Sequence, residues 1–225
     1  MIVSVHIADL PLRDAGHVLF RRPGQRKAPG LVTADPVITA PLGGALLSPP
    51  NPRRVGMIAA WDGDAALDRF LAAHSVGRKL AGGWHARLEP VRVFGSWAAM
   101  PGLPTRERPV SDEEPVAVLT LGRLRLNRAR DFLRSAAPAE RAAVASGAML
   151  AGTALARPPR LVSTFSLWRA AGEMRAYAFG RDGAHQAAVR ADRDHPFHHE
   201  SAFIRFRPYA SAGAWDGRDP LAGRS

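Results

Sequence analysis

The 225-residue sequence predicts an α+β protein built as two similar halves, and three observations carry that reading. First, Leu161 to Trp168 alternates apolar and small polar residues at period two and ends on tryptophan, the pattern of a strand with one buried face. A predicted helix follows, with Met174, Tyr177 and Ala178 on one side, and a return strand from Ala202 to Arg207 leads into the turn residues Gly213, Trp215 and Gly217. Second, the same plan occurs earlier: a strand from Arg54 to Trp61, a helix from Asp64 to His74 with Leu67, Phe70 and Leu71 on one side, a strand from Ala86 to Val93, then Gly95-Ser96-Trp97. Third, an alternating opening strand precedes each copy, Ile2 to Ile7 and Val116 to Leu121. Strands and helices in this order on one sheet make the split βαβ, ferredoxin-like arrangement. Two such units in one chain, residues 1–100 and 116–225 joined by a proline-rich linker at 101–115, predict a sandwich or barrel with a cavity between its sheets.

The remaining elements follow in order. His6 lies in the opening strand and reads as a satisfied face residue. Leu12 to Arg22 predicts a short helix, and Arg21 to Gly30 a basic, breaker-rich loop that is solvated or meets lipid headgroups. Leu31 to Pro52, with prolines at 36, 41, 49, 50 and 52, reads as an extended loop. Arg128 to Leu133 begins one helix, and Ala139 to Leu150 makes an alanine-rich second. Beyond Gly180 and Gly183, the helical spacing of His185, Ala188 and Val189 puts the histidine on the apolar side.

Composition narrows the class. A hydrophobic content of 46% supports a real core, no apolar run approaches the ~20 residues of a membrane span, and the N-terminus lacks a signal-peptide pattern, so a cytoplasmic location is expected. Zero cysteines exclude disulfides, thiolate metal sites, iron–sulfur clusters and a cysteine nucleophile. The net charge of +11 raises nucleic acid or an anionic membrane face as partners. The basic residues are nearly all arginine, scattered, and accompanied by no nucleic-acid-reading motif, so no nucleic-acid partner is expected. Nucleotide-binding glycine patterns and the G-x-S-x-G nucleophile elbow are absent from the sequence.

A family resemblance emerges from particular residues. Val116 to Leu121, Arg130-Asp131-Phe132-Leu133, Thr164-Phe165-Ser166-Leu167-Trp168, Tyr177 and Phe179 ahead of His185-Gln186-Ala187-Ala188-Val189-Arg190, Phe203-Ile204-Arg205-Phe206, Gly213-Ala214-Trp215 and Asp219-Pro220-Leu221 resemble the spheroidene monooxygenase family. Pro50-Asn51, the strand ending at Trp61, and Gly95-Ser96-Trp97 extend the resemblance into the first half. The chain departs from the family at Gly43-Gly44-Ala45-Leu46, across Leu12 to Lys27, and at His198-His199.

The resemblance implies a haem-dependent monooxygenase that inserts oxygen into a hydrophobic polyene such as an acyclic carotenoid, on a duplicated ferredoxin-like fold of the dimeric α+β-barrel type. Without cysteine, haem iron must be held by histidine, tyrosine or methionine. His185, inside the matched motif, is the expected haem b ligand and catalytic residue, with His74 as second choice. Arg190 and Arg205 are the expected partners of the haem propionates, and Phe165, Trp168 and Phe206 the expected pocket lining. Molecular oxygen and an external electron donor such as ferredoxin complete the implied partners, while peripheral membrane contact and homodimerisation stay open. Two alternatives remain, a cofactor-free monooxygenase of the antibiotic-biosynthesis type and a non-catalytic binder of haem or another hydrophobic ligand. A rival metal site is His195, His198 and Glu200, which one helical turn would bring together.

Overall fold

A computed structural model describes residues 1–43, 51–106, 108–180 and 183–224, with the side chains of 184 and 185 outside the description. The first half runs β1 (Ile2–Asp9), α1 (Leu12–Phe20), β2 (Leu31–Pro41), β3 (Arg54–Trp61), α2 (Asp64–Ala73), α3 (Ser75–Leu80) and β4 (Trp84–Gly95). The second repeats that order as β5 (Val116–Leu124), α4 (Ala129–Ala145), β6 (Met149–Arg157), β7 (Leu161–Trp168), α5 (Ala171–Phe179), α6 (Ala184–Asp194) and β8 (His198–Ala212), with a 3₁₀ turn at Leu126–Arg128 before α4. Each half orders its strands as ferredoxin-like units do: fourth, first, third, second. Antiparallel seams between β2 and β6 and between β4 and β8 join the two sheets into a closed eight-stranded barrel.

Alternation decides what fills the barrel. Val3, Val5 and Ile7 of β1, Ala86 and Leu88 of β4, Ala117, Leu119 and Leu121 of β5, Phe165 and Leu167 of β7, and Ile204 and Phe206 of β8 all point inward into one apolar cluster. The two Gly-x-Trp motifs turn out to be plugs. Trp215 and Leu221 close the end at which β4 begins, where Trp215 meets Trp84 at 5.2 Å between ring centroids and Phe165 at 6.3 Å. Trp97 and Met100 close the other. The expected cavity between the sheets is therefore replaced by side chains, and a porphyrin has no room there.

Other expectations change too. The segment read as a loop from Leu31 contains β2, which the prolines disguised. Pro36 falls where β2 pairs only with β3, because the β2–β6 ladder begins at Ile38, and a strand proline is tolerated where one edge is unpaired. The two helices predicted around Ala139 are one helix, α4, that continues through Pro138. It stops at Gly147, whose φ of +67° suits glycine, and the stretch from Met149 is strand β6 rather than helix. Its alanines and glycine hid it, being weak strand formers. His195 to Glu200 is not a helical turn, since His198 opens β8. The Gly44–Pro50 stretch, with most of the departing Gly43–Leu46 loop, lies outside the described residues.

His6 and His85, paired across β1 and β4, stack at 5.3 Å beneath the first-half helices. His6 Nε2 shares a 2.9 Å hydrogen bond with Ser4 Oγ, which also accepts from Trp61 Nε1 at 2.8 Å. Burial lowers both imidazole pKa values, and their mutual repulsion lowers that of His6 further. The folded state therefore holds fewer protons than the unfolded chain below the ordinary histidine pKa of about 6.5, so stability is full above that pH and falls as the solution is acidified through it. Urea titrations of wild type and His6→Gln between pH 8 and 5 should show a steeper acid loss in wild type; equal slopes would refute this role.

Candidate functional site

The outer faces of the two half-sheets are covered differently. In the first half Met57, Ala59 and Trp61 of β3 are sealed by Leu67, Phe70, Val76 and Leu80, with the Trp61 and Phe70 rings 4.9 Å apart. In the second half the equivalent layer closes only at one end, where Val116, Val118 and Trp168 pack under Ala171, Met174 and Ala178. Towards the middle, the row Ala154, Thr164, Thr120, Phe203 runs across four strands in register. Thr120 is exposed there, in the centre of a barrel strand, and the other three are half-buried. Helix α6 lies against α4 and α5 rather than on the sheet. The result is a shallow cleft floored by Thr120, Thr164 and Ala154, while Gly152 and Ser166 in the neighbouring row are covered by Leu42 and Met149 and by Trp168.

A bulge places a histidine at the edge of this cleft. Pairing of β5 with β8 shifts between Arg123 and Leu124, so His198 departs from the alternation that Ala202, Ile204 and Phe206 obey. Its ring comes to rest on the outer face over Gly122, where a Cβ would lie 2.5 Å from Cδ2 and 2.6 Å from Nε2. Only glycine leaves that space. Nδ1 stands 3.2 Å from Asp192 Oδ1 of α6, within charge-pairing reach though off the line of a straight hydrogen bond. The same carboxylate oxygen accepts from the Phe197 backbone N–H at 2.8 Å, and its interaction with His198 holds the Asp192 pKa below the ordinary carboxylate range. Phe132 of α4 meets the imidazole edge-on at 5.2 Å. Nε2 has no hydrogen-bond partner among the described residues, and the side chain keeps 14% of its surface exposed.

The residues expected from sequence fall in different places. His185 is the second residue of α6, and its side chain is outside the described residues. His74 caps α3: Nδ1 accepts from Val76 N–H at 3.2 Å and the ring stacks on Phe70, in the sealed half. Arg190 is exposed on α6. Arg205 is 3% exposed, on the outer face of β8 beside Val118, with its guanidinium 5.9 Å from the Phe94 ring. Phe165 and Phe206 point into the barrel, whereas Trp168 lies on the opposite face of β7 from Phe165 and stacks on Tyr177 at 5.1 Å. The structure thus brings Trp168 and Arg205 to the outer face and leaves Phe165 and Phe206 behind it. Burial raises the Tyr177 pKa to about 12, and its hydroxyl donates to the Ala139 carbonyl at 2.7 Å. Glu140 of the same helix is also raised by burial, against a hydrogen bond from Gly43 N–H.

The His195/His198/Glu200 group does not form. His195 is exposed, and Glu200 turns away to accept from Ala98 N–H and Arg123. Among the described residues no three histidine or carboxylate groups converge as a metal-binding cluster. Sequence reasoning singled out His198 for that group and missed its real partners, Asp192 and Gly122. A strand bulge leaves no pattern in the residues, so only the histidine itself was a signal.

Fold and cleft together define an α+β barrel of two ferredoxin-like halves, closed inside and open on the outer face of the second. The chain belongs to the spheroidene monooxygenase family. It is 32% identical over 177 residues to the spheroidene monooxygenase of Rubrivivax gelatinosus, a match covering 75% of this chain and 66% of that protein. It is 29% identical over 185 residues to that of Rhodobacter capsulatus, covering 78% and 75%. The matches thus span about two thirds to three quarters of the length of these relatives. No protein-family model matches the chain. Among solved structures, a ferredoxin-fold protein related to antibiotic biosynthesis monooxygenases from Listeria monocytogenes aligns over 93% of this chain and 95% of its own, at 9% identity and a TM-score of 0.37.

An open second-half cleft should accept a larger side chain on its floor without a packing cost. Thr120→Leu, at an exposed mid-strand position, should change the unfolding free energy by no more than about 0.5 kcal/mol. A chemical denaturation midpoint that falls instead would mean that Thr120 is already tightly packed.

Proposed function

We propose that this chain is an oxygen-dependent, haem-dependent monooxygenase acting on a hydrophobic polyene such as an acyclic carotenoid, with its site in the outer-face cleft of the second half. The observation that carries the reading is the open row at Thr120 and Thr164 with an imidazole–carboxylate pair at its edge, in a chain whose curated relatives are named for spheroidene oxygenation. The residues that favour a haem there are a small-residue floor, the half-buried Phe203 and imidazole on the α6–β8 side, while Trp168 and Arg205 are buried at the closed end of the layer. Haem, when bound, supplies the iron chemistry that activates oxygen.

The chain's own residues supply the rest. Phe203 presents apolar surface to a polyene or a porphyrin edge, with Trp168 buried behind it as support. Arg205 offers a fixed cation for a propionate, with Arg190 as an outer partner on α6. His185, within the matched stretch at the start of α6, is the iron ligand that the family resemblance suggests. We read the repeated element order as an internal duplication whose second copy kept its outer face open for the ligand. Electrons come from an external donor such as ferredoxin, and a homodimer is compatible with this arrangement.

The test is reconstitution. Purified chain supplied with haem should develop a saturable Soret band, and with a reductant and ¹⁸O₂ it should give an acyclic carotenoid product carrying the heavy isotope. Product formation without haem would replace this reading with the cofactor-free one. Haem uptake without labelled product under any reductant would leave a binding protein.

A further inference from the structure

Resting on the haem reading above, the geometry points to His198, oriented by Asp192 and accommodated by Gly122, as the imidazole that ligates the iron in the second-half cleft, in place of His185. Three independent features converge on this one ring. The β8 bulge turns it onto the cleft face of the sheet, against the strand's own alternation. Position 122 carries no side chain, and a Cβ there would occupy the space of Cδ2 and Nε2. A carboxylate stands at Nδ1, itself held by the Phe197 N–H, while Nε2 is left without a hydrogen-bond partner among the described residues.

That division of labour is what a metal-ligating histidine requires. One nitrogen stands within charge-pairing reach of a carboxylate, which strengthens the ring as a donor, and the other has no hydrogen-bond partner among the described residues. The remaining histidines whose side chains are described are otherwise engaged or out of reach. His6 and His85 are buried under the first-half helices, and His17 and His74 belong to that same layer. His199 faces Arg160 outside, and His195 is exposed at the end of α6. Phe132 and Phe197 flank His198 and limit its rotation, at 5.2 and 6.3 Å between centroids.

The experiment is haem titration of the full chain followed by absorption, with resonance Raman spectra of the reduced form, for wild type, His198→Gly, Asp192→Asn, Gly122→Ala and His185→Ala. Circular dichroism of each ligand-free variant checks the fold. We expect His198→Gly to lose or shift the Soret band and to recover it with added imidazole, while His185→Ala keeps the wild-type spectrum. Asp192→Asn should weaken haem binding roughly 10–100-fold and lower the iron–imidazole stretching frequency. Gly122→Ala should displace the ring and weaken binding in a folded protein. A wild-type spectrum in His198→Gly together with a lost band in His185→Ala would overturn the assignment and leave the haem reading intact. No saturable band in folded wild type would overturn the haem reading, and this assignment with it.

Discussion

Closure of the barrel is the constraint on which everything else depends. Each half-sheet has two edges, and the β2–β6 and β4–β8 ladders consume all four, so no strand edge is left to pair with another chain along those seams. Closure also fixes which face is inside, because side chains alternate strictly along a strand. Trp84, Phe165, Leu119, Ile204 and Phe206 meet there, and the two Gly-x-Trp turns cap the ends. With the interior packed solid, a ligand the size of a porphyrin or a polyene has to use an outer face, between sheet and helices.

The two outer faces are chemically unlike although the element order is the same. Met57, Trp61 and Phe70 make the first half a layered core, in which Ser4 Oγ bonds both His6 Nε2 and Trp61 Nε1. The second half puts threonine, serine, glycine and alanine at comparable depth, and its α6 rests on other helices. Helices α4 and α5 still pack on the sheet through Ala143, Ala171, Met174 and Ala178, and only α6 stands off it. The first half supplies rigidity and the second supplies space. The bulge at His198 exploits that space, since the ring could not lie over β5 if a side chain stood at position 122.

Much of this fold was legible in the residues, and for identifiable reasons. β1, β3, β5 and β7 announced themselves by alternation or by β-branched and aromatic content, and the repeat of strand-Trp, helix, strand and Gly-x-Trp revealed the twofold plan. β2 and β6 did not, because prolines in one and alanines and glycine in the other contradict local propensity while tertiary pairing overrides it. The site was less legible. Strand period assigns Phe165 and Trp168 to opposite faces only once the end of β7 is known, and which face carries a ligand depends on barrel closure, a long-range property. The family motif pointed to Arg205 and Trp168, both of which are buried, whereas the Asp192–His198 pair joins a helix end to a bulged strand start that no fixed spacing encodes.

An under-filled helix layer also bears on stability. Fully burying a large apolar side chain is worth roughly 1.5–3 kcal/mol, so replacing several such positions by Thr120, Thr164, Ser166 and Gly152 forgoes an amount comparable to a whole domain's net stability. The filled barrel and the sealed first half offset that loss. Any ligand that occupies the cleft restores the missing contacts, and by mass action it stabilises only the state whose helices close on it. The exposed Leu133 and Val144 of α4, Phe179 of α5 and Val189 of α6 lie in the layer where that stabilisation would act.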